Sequence, residues 1–400
     1  MSKKRKWLTP EEAKHLGLVV KKNKEGRNKA RYHVTSEEYL SAKLFTNKKQ
    51  YKGIIDSCEA MSVNVSDVKH LWKKDGKTSV FVKNPLFNDK VDIEAISERF
   101  ENISSRYITG KYKKIDKTKL KDPKAIKITT SDDHLGLDPS PNNNGLFQYE
   151  YNGDIYKLSI DKVFNSVLKE FRTHGKFDLL LLDNLGDEQD GWNGYTTRGG
   201  HKLDQNMTND EVFDVCVDTK VNLIINLVEN NVANKFILRK VTNDNHSGDL
   251  GLLINKAVEK IINRIYSDKL VKVEHLTRFL EHRVYGKHTF ILTHGKDKEK
   301  MLKGLPLHLN DRTINFVNDY IRFYNINTPF IHLEKGDLHQ VGFEKTSNFD
   351  YRNFMSFAPP SSWVQHNFGS CYSGYSIQII PKNTNEISHT DYFLDYTKKT

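Results

Sequence analysis

The chain has 400 residues, of which 37% are hydrophobic and 11% aromatic, so it can form a sizeable core and is not disordered as a whole. This length favours one large domain with an accessory module. No apolar run approaches the roughly eighteen residues of a membrane helix, and the three cysteines, Cys58, Cys216 and Cys371, are too far apart for a C-x-x-C zinc site. The composition therefore predicts a soluble, unexported, cytoplasmic protein without a disulfide framework.

The net charge of +11 is unevenly distributed along the chain. Residues 1–124 contain 30 Lys and Arg against 16 Asp and Glu, whereas the remainder contains 32 against 35. A basic segment attached to a near-neutral body predicts a polyanionic partner. Nucleic acid is favoured over a membrane, because no apolar amphipathic face accompanies the charges.

Residues 1–110 are predicted to form a basic accessory module. Helical spacing over 51–58 is followed by a helix that begins at Ser66 and carries Leu71 and Trp72, and then by a strand over 79–82. Two short helices and a hairpin are typical of a helix-turn-helix with a wing, which would contact DNA; the alternative is a small α/β cap that packs on the next domain. A Lys-rich linker (111–124), the main domain (125–385) and a tail (386–400) complete the predicted organisation.

From residue 125 onward the pattern alternates between strands and amphipathic helices, which indicates an α/β architecture. The candidate strands are 125–130, 177–182, 235–242, 288–293 and 330–334. Helices with one apolar face are predicted over 163–171, 254–265 and 314–324. The last stretch, 341–400, shows strand-like pieces such as 375–380 and predicts a second, mainly β sheet without helices.

Polar residues follow each candidate strand at its C-terminal end, where functional side chains collect in α/β sheets. They are Asp132 and His134, then Asp187, then Asn245 and His246, then His294, and finally Asp337 and His339. We expect these five segments to converge on two metal ions. Five neighbouring residues lie off this pattern and are interpreted as solvated loop or strand residues: Asp133, Asp183, Asp249, His288 and His332.

In order, the blocks read D-x-H, G-D-x-x-D, N-H, a lone H and x-x-H, which resembles the signature of the calcineurin-like metallophosphoesterase superfamily over roughly residues 125–385. The chain is also similar to the phage-encoded branch of that superfamily, which carries a T-T-x-G loop, here Thr196–Gly199, and an N-terminal module resembling residues 57–85. The resemblance implies a two-sheet α/β/β/α sandwich and a metal-dependent hydrolase of phosphoesters, located in the host cytoplasm if phage-encoded.

The resemblance also implies the metal ligands. A first metal would be held by Asp132, His134, His339 and a bridging Asp187. A second would be held by Asp187, Asn245, His294 and Asp337, the last standing where the family has a histidine. A carboxylate there makes the site richer in oxygen, so Mn²⁺ is the first expectation, with Mg²⁺, Fe or Zn²⁺ as alternatives.

In the mechanism that the family implies, a hydroxide bridging the two metals attacks the phosphorus atom. His246 would protonate or stabilise the leaving oxygen, and Asp190 would orient His246 and raise its pKa.

Three further residues, besides Asp337, depart from the family pattern. Asp244 replaces the glycine of the G-N-H block, Ser247 replaces the acidic residue after it, and Gly191 replaces the arginine of many phosphoprotein phosphatases. The missing arginine weakens the case for a phosphoserine phosphatase, although Arg198 or Arg283 could bind phosphate instead.

Three functions follow from these observations. The leading hypothesis is a phosphodiesterase or nuclease that acts on nucleic acid. The first alternative is a phosphomonoesterase that acts on protein or nucleotide phosphates. The second is a non-catalytic nucleic-acid-binding or virion-associated protein with a degenerate metal site, motivated by Asp244, Ser247 and Asp337.

Overall fold

The structure is a computed structural model that describes residues 5–8, 32–35, 52–60, 70–74, 79–83, 93–108, 112, 117–140, 146–369 and 371–398. The chain divides into two compact units, 1–93 and 94–400, and the linker at 111–124 stays a prediction. None of the described helices is long and apolar enough to cross a membrane.

Short paired strands and one helix are described in the first unit. Strand β1 (Arg5–Leu8) pairs antiparallel with β2 (Tyr32–Thr35), helix α1 spans Lys52–Ala60, and β3 (His70–Lys74) pairs antiparallel with β4 (Ser79–Lys83). The predicted helix around 51–58 and the strand over 79–82 are confirmed. The second predicted helix is wrong at Leu71 and Trp72, which lie in β3 opposite Val82 and Phe81. Backbone pairing of β3 with β4 thus replaces the predicted helix at these two positions.

The elements from residue 93 onward alternate as the sequence predicts, and all five candidate strands and three candidate helices are confirmed. In chain order they are α2 (Ile93–Ile108), β5 (Lys124–Thr130), α3 (Gly153–His174), β6 (Leu179–Asn184), α4 (Asn209–Glu229), β7 (Phe236–Val241), α5 (Gly248–Ile265), β8 (Val271–Leu276), β9 (Glu281–Tyr285), β10 (His288–Thr293), α6 (Asp311–Phe323), β11 (Phe330–Lys335), β12 (Gly342–Lys345), β13 (Asp350–Asn353), α7 (Ser362–Phe368), β14 (Ser373–Pro381) and β15 (Ser388–Leu394). Helix α4 and strands β8 and β9 were not among the predicted elements.

Two sheets organise the second unit. The first has six strands in the order β15-β14-β5-β6-β7-β8, of which β5 to β8 run parallel. The second has five strands in the order β12-β13-β11-β10-β9, with β10, β11 and β13 parallel. The predicted two-sheet α/β sandwich is therefore confirmed.

The prediction that residues 341–400 form a sheet of their own, without helices, is wrong. Strands β12 and β13 extend the second sheet, and β14 and β15 extend the first. Helix α7 lies between β13 and β14 in the chain. Each pair forms hydrogen bonds with the edge of a larger sheet, so these strands do not need to form a sheet of their own. Strand β15 lies within the predicted 386–400 tail.

Apolar side chains arrange the unit in four layers. Helices α3, α4 and α5 pack on the outer face of the first sheet through a core that includes Val163, Val217 and Ile254. Between the sheets lies a second cluster that includes Phe290. Helix α6 covers the outer face of the second sheet through a third cluster that includes Val317. Because both faces of the parallel strands are covered, these strands are largely buried, and their polar residues, such as Lys127 and Arg239, are buried as well.

Buried ion pairs join the apolar cluster between the sheets. Lys127 Nζ donates to Glu334 at 2.5 Å, and Arg239 binds Asp183 through two hydrogen bonds of 2.6 and 2.5 Å. The prediction that Asp183 is solvated is wrong, because its side chain is 1% exposed. Strand alternation places Lys127 on the face opposite its neighbours Ile126 and Ile128, so the Lys127–Glu334 pair links the two sheets, whereas Arg239 and Asp183 pair within the first sheet.

Candidate metal centre

The predicted site residues follow five strands at their C-terminal ends. Strands β5, β6 and β7 of the first sheet present Asp132, His134, Asp187, Asn245 and His246, and strands β10 and β11 of the second sheet present His294, Asp337 and His339. Backbone hydrogen bonds tie the first two loops together, from Asp132 N to Gly186 O and from His134 N to Asp187 O. The two sheets therefore bring their polar loops to one edge of the sandwich.

The first group of ligand-type side chains contains Asp132, His134 and His339. The Nε2 atoms of His134 and His339 lie 3.2 Å apart, and His339 Nε2 lies 3.4 Å from Asp132 Oδ1. Asp132 Oδ1 is buried and accepts no hydrogen bond. Two imidazole nitrogens directed at an unsatisfied carboxylate oxygen form a donor set that fits a divalent cation.

The second group contains Asp132, Asp187 and His294, and Asn245 adjoins it. His294 Nε2 lies 3.0 Å from Asp187 Oδ2 and 3.1 Å from Asn245 Oδ1. His294 Nδ1 can donate to Leu185 O at 3.0 Å, which fixes the tautomer that leaves Nε2 available as a ligand. These donors also fit a divalent cation, and the group shares Asp132 with the first.

The structure thus brings together all the predicted ligands except the side chain of Asp337. The Asp337 backbone N–H donates to Asp132 Oδ2 at 3.1 Å, while its carboxylate lies 3.5 Å from Lys296 Nζ. Asp187, the predicted bridging ligand, lies in the second group only, and Asp132 is the residue shared by both. The ligand role of Asp337 and the bridging role of Asp187 stay predictions.

The backbone of the site is strained. Five of the predicted ligands adopt positive φ although none is glycine, and they are Asp132 (54°), His134 (40°), Asp187 (49°), Asp337 (74°) and His339 (55°). This conformation is uncommon outside glycine, and such residues cluster at functional sites where the surrounding structure holds them. The loops are therefore shaped to direct these side chains inward.

Asp190 connects two histidines of the site. Its Oδ1 lies 2.8 Å from His134 Nδ1 and 3.2 Å from His246 Nδ1. The His246 backbone N–H donates to Asp187 Oδ1 at 2.9 Å, and its ring is about one-fifth exposed at 20%. Both imidazoles are consequently held by Nδ1, with Nε2 directed away from Asp190.

Mutual electrostatics tune the charges of these groups. Burial opposes ionisation of Asp132, yet His339 and His294 lower the pKa of this carboxyl below its usual value. Burial likewise disfavours a charged imidazole, but Asp187 raises the pKa of His294 to about 10. Burial is also outweighed at His246, where Asp187 and Asp190 raise the pKa to about 9. The carboxylates are thus negatively charged. Their charge favours either protonated histidines or bound metal ions at this site.

Asp244 and Ser247, two departures from the family pattern, are hydrogen-bonded to each other at the start of a helix. The Asp244 carboxylate accepts hydrogen bonds from the backbone N–H groups of Ser247 and Gly248 at 2.7 and 2.9 Å and from Ser247 Oγ at 2.8 Å. Helix α5 begins at Gly248, directly after the Asn245–His246 segment. The two substitutions therefore stabilise the start of α5 and the loop before it.

The T-T-x-G loop packs against the same segment. Thr197 Oγ1 donates to His246 O at 2.6 Å, and Arg198 N donates to Asn245 O at 2.9 Å. The Arg198 guanidinium donates to Asp297 O at 3.0 Å, and Arg283 of the second sheet pairs with Glu274 of the first. The loop therefore supports His246, and the proposed phosphate contact of Arg198 stays a prediction.

Sequence reasoning missed several supporting residues. Ser131 Oγ donates to Asp132 Oδ2 at 2.5 Å. A Cβ on Gly336 would lie 1.9 Å from Ser131 Oγ and 2.9 Å from Asp132 Oδ2. The G-D pair at 336–337 carried this signal, because a glycine next to a proposed ligand often marks a close approach.

Comparison with known proteins gives matches of fold alone. No protein-family model and no curated protein matches the chain. Among solved structures, an archaeal phosphodiesterase is 10% identical, with 67% of this chain and 99% of that chain covered and a TM-score of 0.30. Vps29 of Entamoeba histolytica in complex with zinc is 10% identical (67% and 98%, TM-score 0.28), and a predicted phosphoesterase of Streptococcus pneumoniae is 13% identical (67% and 98%, TM-score 0.25).

Proposed function

We propose that this protein is a two-metal-dependent phosphoesterase that hydrolyses phosphodiester bonds of nucleic acid. The observation that carries the proposal is the pair of ligand-type groups that share Asp132 at the C-terminal edge of both sheets. Imidazole and carboxylate donors of this kind suit Mn²⁺, which we propose as the metal, and Asn245 adds an amide oxygen to the second group. When bound, such cations would activate a water molecule and neutralise charge on the phosphoryl oxygens.

His246 is proposed to assist the leaving group. Asp190 holds the imidazole through Nδ1, so Nε2 can donate a proton to the ester oxygen as the P–O bond breaks. The partial exposure of the ring places it where a substrate can reach it. Asp190 acts by positioning His246 and also holds His134 in the tautomer that a metal ligand requires.

The uneven charge of the chain supports a nucleic-acid substrate. The excess of basic residues lies in the first 124 residues, outside the sheets that carry the site. Such a segment would bind a phosphate backbone without sequence preference, with an affinity that falls as the salt concentration rises. Phosphopeptides and nucleoside monophosphates would present few negative charges to this basic segment, so nucleic acid is the favoured substrate.

A substrate panel tests the proposal. With Mn²⁺, the full chain should hydrolyse bis(p-nitrophenyl) phosphate, single-stranded DNA or RNA, and Asp187→Ala should abolish that activity. Asp249→Ala is the matched control, because this carboxylate is 83% exposed and pairs with Lys298 outside the two groups. Release of phosphate from a phosphopeptide with no cleavage of diesters would instead establish a phosphomonoesterase. Absence of hydrolysis with every divalent metal would refute enzymatic function.

A further inference from the structure

A cleft lined by basic residues lies beside the metal centre. It is formed by the loop after β10, the start of α6 and the segment after β11, and its lining includes Lys296, Lys303, Asn310, Arg312, Asp337 and Leu338. One of these lining residues, Asp337, adjoins the metal centre, because its backbone N–H donates to Asp132 Oδ2 at 3.1 Å. The cleft is therefore continuous with the first group of proposed ligands, and we call it the basic cleft.

The charges of the basic cleft favour an anion. Three of its lining residues are cationic, and the carboxylate of Asp337, which also lines the cleft, lies 3.5 Å from Lys296 Nζ. Within the described part of the chain, Lys303 and Arg312 have no carboxylate within ion-pair distance, and both are exposed. Two unneutralised cations beside a phosphoester site are suited to a second phosphate group.

The loop that carries Lys303 is strained. Lys300, Leu302 and Lys303 all adopt positive φ, at 67°, 50° and 64°. The loop is fastened at its base, where Met301 N donates to Asp297 Oδ1 at 2.8 Å and Leu305 N donates to Gly295 O. Strain of this kind persists only where the surrounding structure imposes it, and it is common at ligand-binding segments.

We infer that the basic cleft binds a second phosphate group of the substrate, next to the phosphate at the metal centre. This inference rests on the proposed function and narrows it to substrates with at least two linked phosphates. A nucleic-acid strand supplies them along its backbone, and a nucleoside diphosphate supplies them directly. Lys303 and Arg312 are the residues that would distinguish these substrates from an ester with one phosphate.

Binding measurements test the inference apart from turnover. The probe is a fluorescent single-stranded oligonucleotide of about five nucleotides, titrated in Mn²⁺ with full-length protein carrying His246→Ala to suppress cleavage. Adding Lys303→Gln and Arg312→Gln together should raise the Kd about tenfold or more, and flatten the dependence of log Kd on log salt by roughly 0.7 for the lost phosphate contact. Arg322→Gln is the control, because this arginine lies on the same helix, is 82% exposed and pairs with Asp319.

The outcomes separate the inference from the proposed function. An unchanged Kd in the double variant, or no oligonucleotide binding by the parent protein, would overturn the inference even if bis(p-nitrophenyl) phosphate is hydrolysed. Weakened binding in the double variant supports it even if no ester is hydrolysed, in which case the proposed function alone fails. Competition by an unlabelled trinucleotide but not by ADP would identify the backbone as the source of the second phosphate, and competition by both would identify any linked pair. Thermal unfolding of each variant checks that the fold is retained.

Discussion

Asp190 Oδ1 lies 3.2 Å from His246 Nδ1, and the same oxygen lies 2.8 Å from His134 Nδ1. One carboxylate thus holds both a proposed metal ligand and the proposed proton donor. Asp190→Asn keeps the shape of this side chain but removes its charge. We expect it to lower both Mn²⁺ affinity and turnover about 10- to 100-fold, as for other residues that orient metal ligands. Isothermal titration with Mn²⁺ measures the affinity, and initial rates measure the turnover. If only one of the two falls, Asp190 supports only one of the two histidines.

His246→Ala should separate metal binding from catalysis. Its Nε2 is proposed to protonate the leaving oxygen, so the variant should lose about 10²- to 10⁴-fold in turnover on DNA, whose alkoxide leaving group needs a proton. The loss should be much smaller on bis(p-nitrophenyl) phosphate, because p-nitrophenolate leaves without protonation. Mn²⁺ affinity should stay within about twofold of the wild type, since the imidazole is not among the proposed ligands. Equal losses on both substrates would contradict the proton-donor role.

Gly336 is expected to be essential for the first ligand group. Its φ is not in the left-handed region, so the cost of Gly336→Ala is steric: the added Cβ would meet Ser131 Oγ and Asp132 Oδ2. Displacement of Asp132 should lower Mn²⁺ affinity at least about tenfold. Gly342→Ala is the control, because the closest atom to its Cβ would be the end of the Leu307 side chain, at 3.1 Å, and its other neighbours lie at 3.6 Å or more. Similar metal affinity in the two variants would show that Asp132 adjusts freely.

The sequence predicts the part of this structure that has a repeating pattern. Strands β5, β6, β7, β10 and β11 are apolar runs with polar residues at their ends, so both their positions and the convergence of their loops could be expected. Helix α4 also has buried positions, but they spread around much of its circumference and include Cys216 and the polar Thr219. A helix buried on several sides lacks the single apolar face on which the prediction depended.

Long-range pairing and charge burial could not be predicted. Strands β14 and β15 joined the first sheet because β14 pairs with β5, about 250 residues earlier in the chain, and no local signal records that pairing. The sequence predicts a solvated Asp183 because it does not show that Arg239, the ion-pair partner, lies beside it on the neighbouring strand. The motif aligns Asp337 with a ligand position, but the motif does not show that its carboxylate lies beside Lys296.

Asp244 illustrates a departure from a motif that has a structural explanation. Its carboxylate accepts three hydrogen bonds at the start of α5, so Asp244→Ala should lower the free energy of unfolding by about 1–2 kcal/mol. Asp244→Asn should lose less, since the amide oxygen can accept from the same backbone N–H groups. Urea denaturation measures both values. An alanine variant as stable as the wild type would mean that these three hydrogen bonds do not contribute to the free energy of unfolding.

The His288–His332 pair predicts how stability depends on pH. His288 is 1% exposed, with Nδ1 3.0 Å from His332 Nε2, and His332 Nδ1 contacts Asp350. Burial and then His332 lower the pKa of His288 from 6.5 to about 4. Between these values the unfolded chain binds a proton that the folded chain does not, so this contribution to stability is complete above pH 6.5 and is lost as the pH falls toward 4.

The slope of that loss can be measured against a variant. His288→Gln retains a hydrogen-bond donor for His332 but cannot titrate, so its free energy of unfolding should fall less steeply between pH 6.5 and 4, by up to about 1.4 kcal/mol per pH unit. His308→Gln is the control for removal of a histidine elsewhere in the chain, because His308 is 82% exposed. Urea denaturation at half-unit pH intervals gives the three curves. Parallel curves for His288→Gln and the wild type would show that burial of His288 imposes no proton-linked cost on folding.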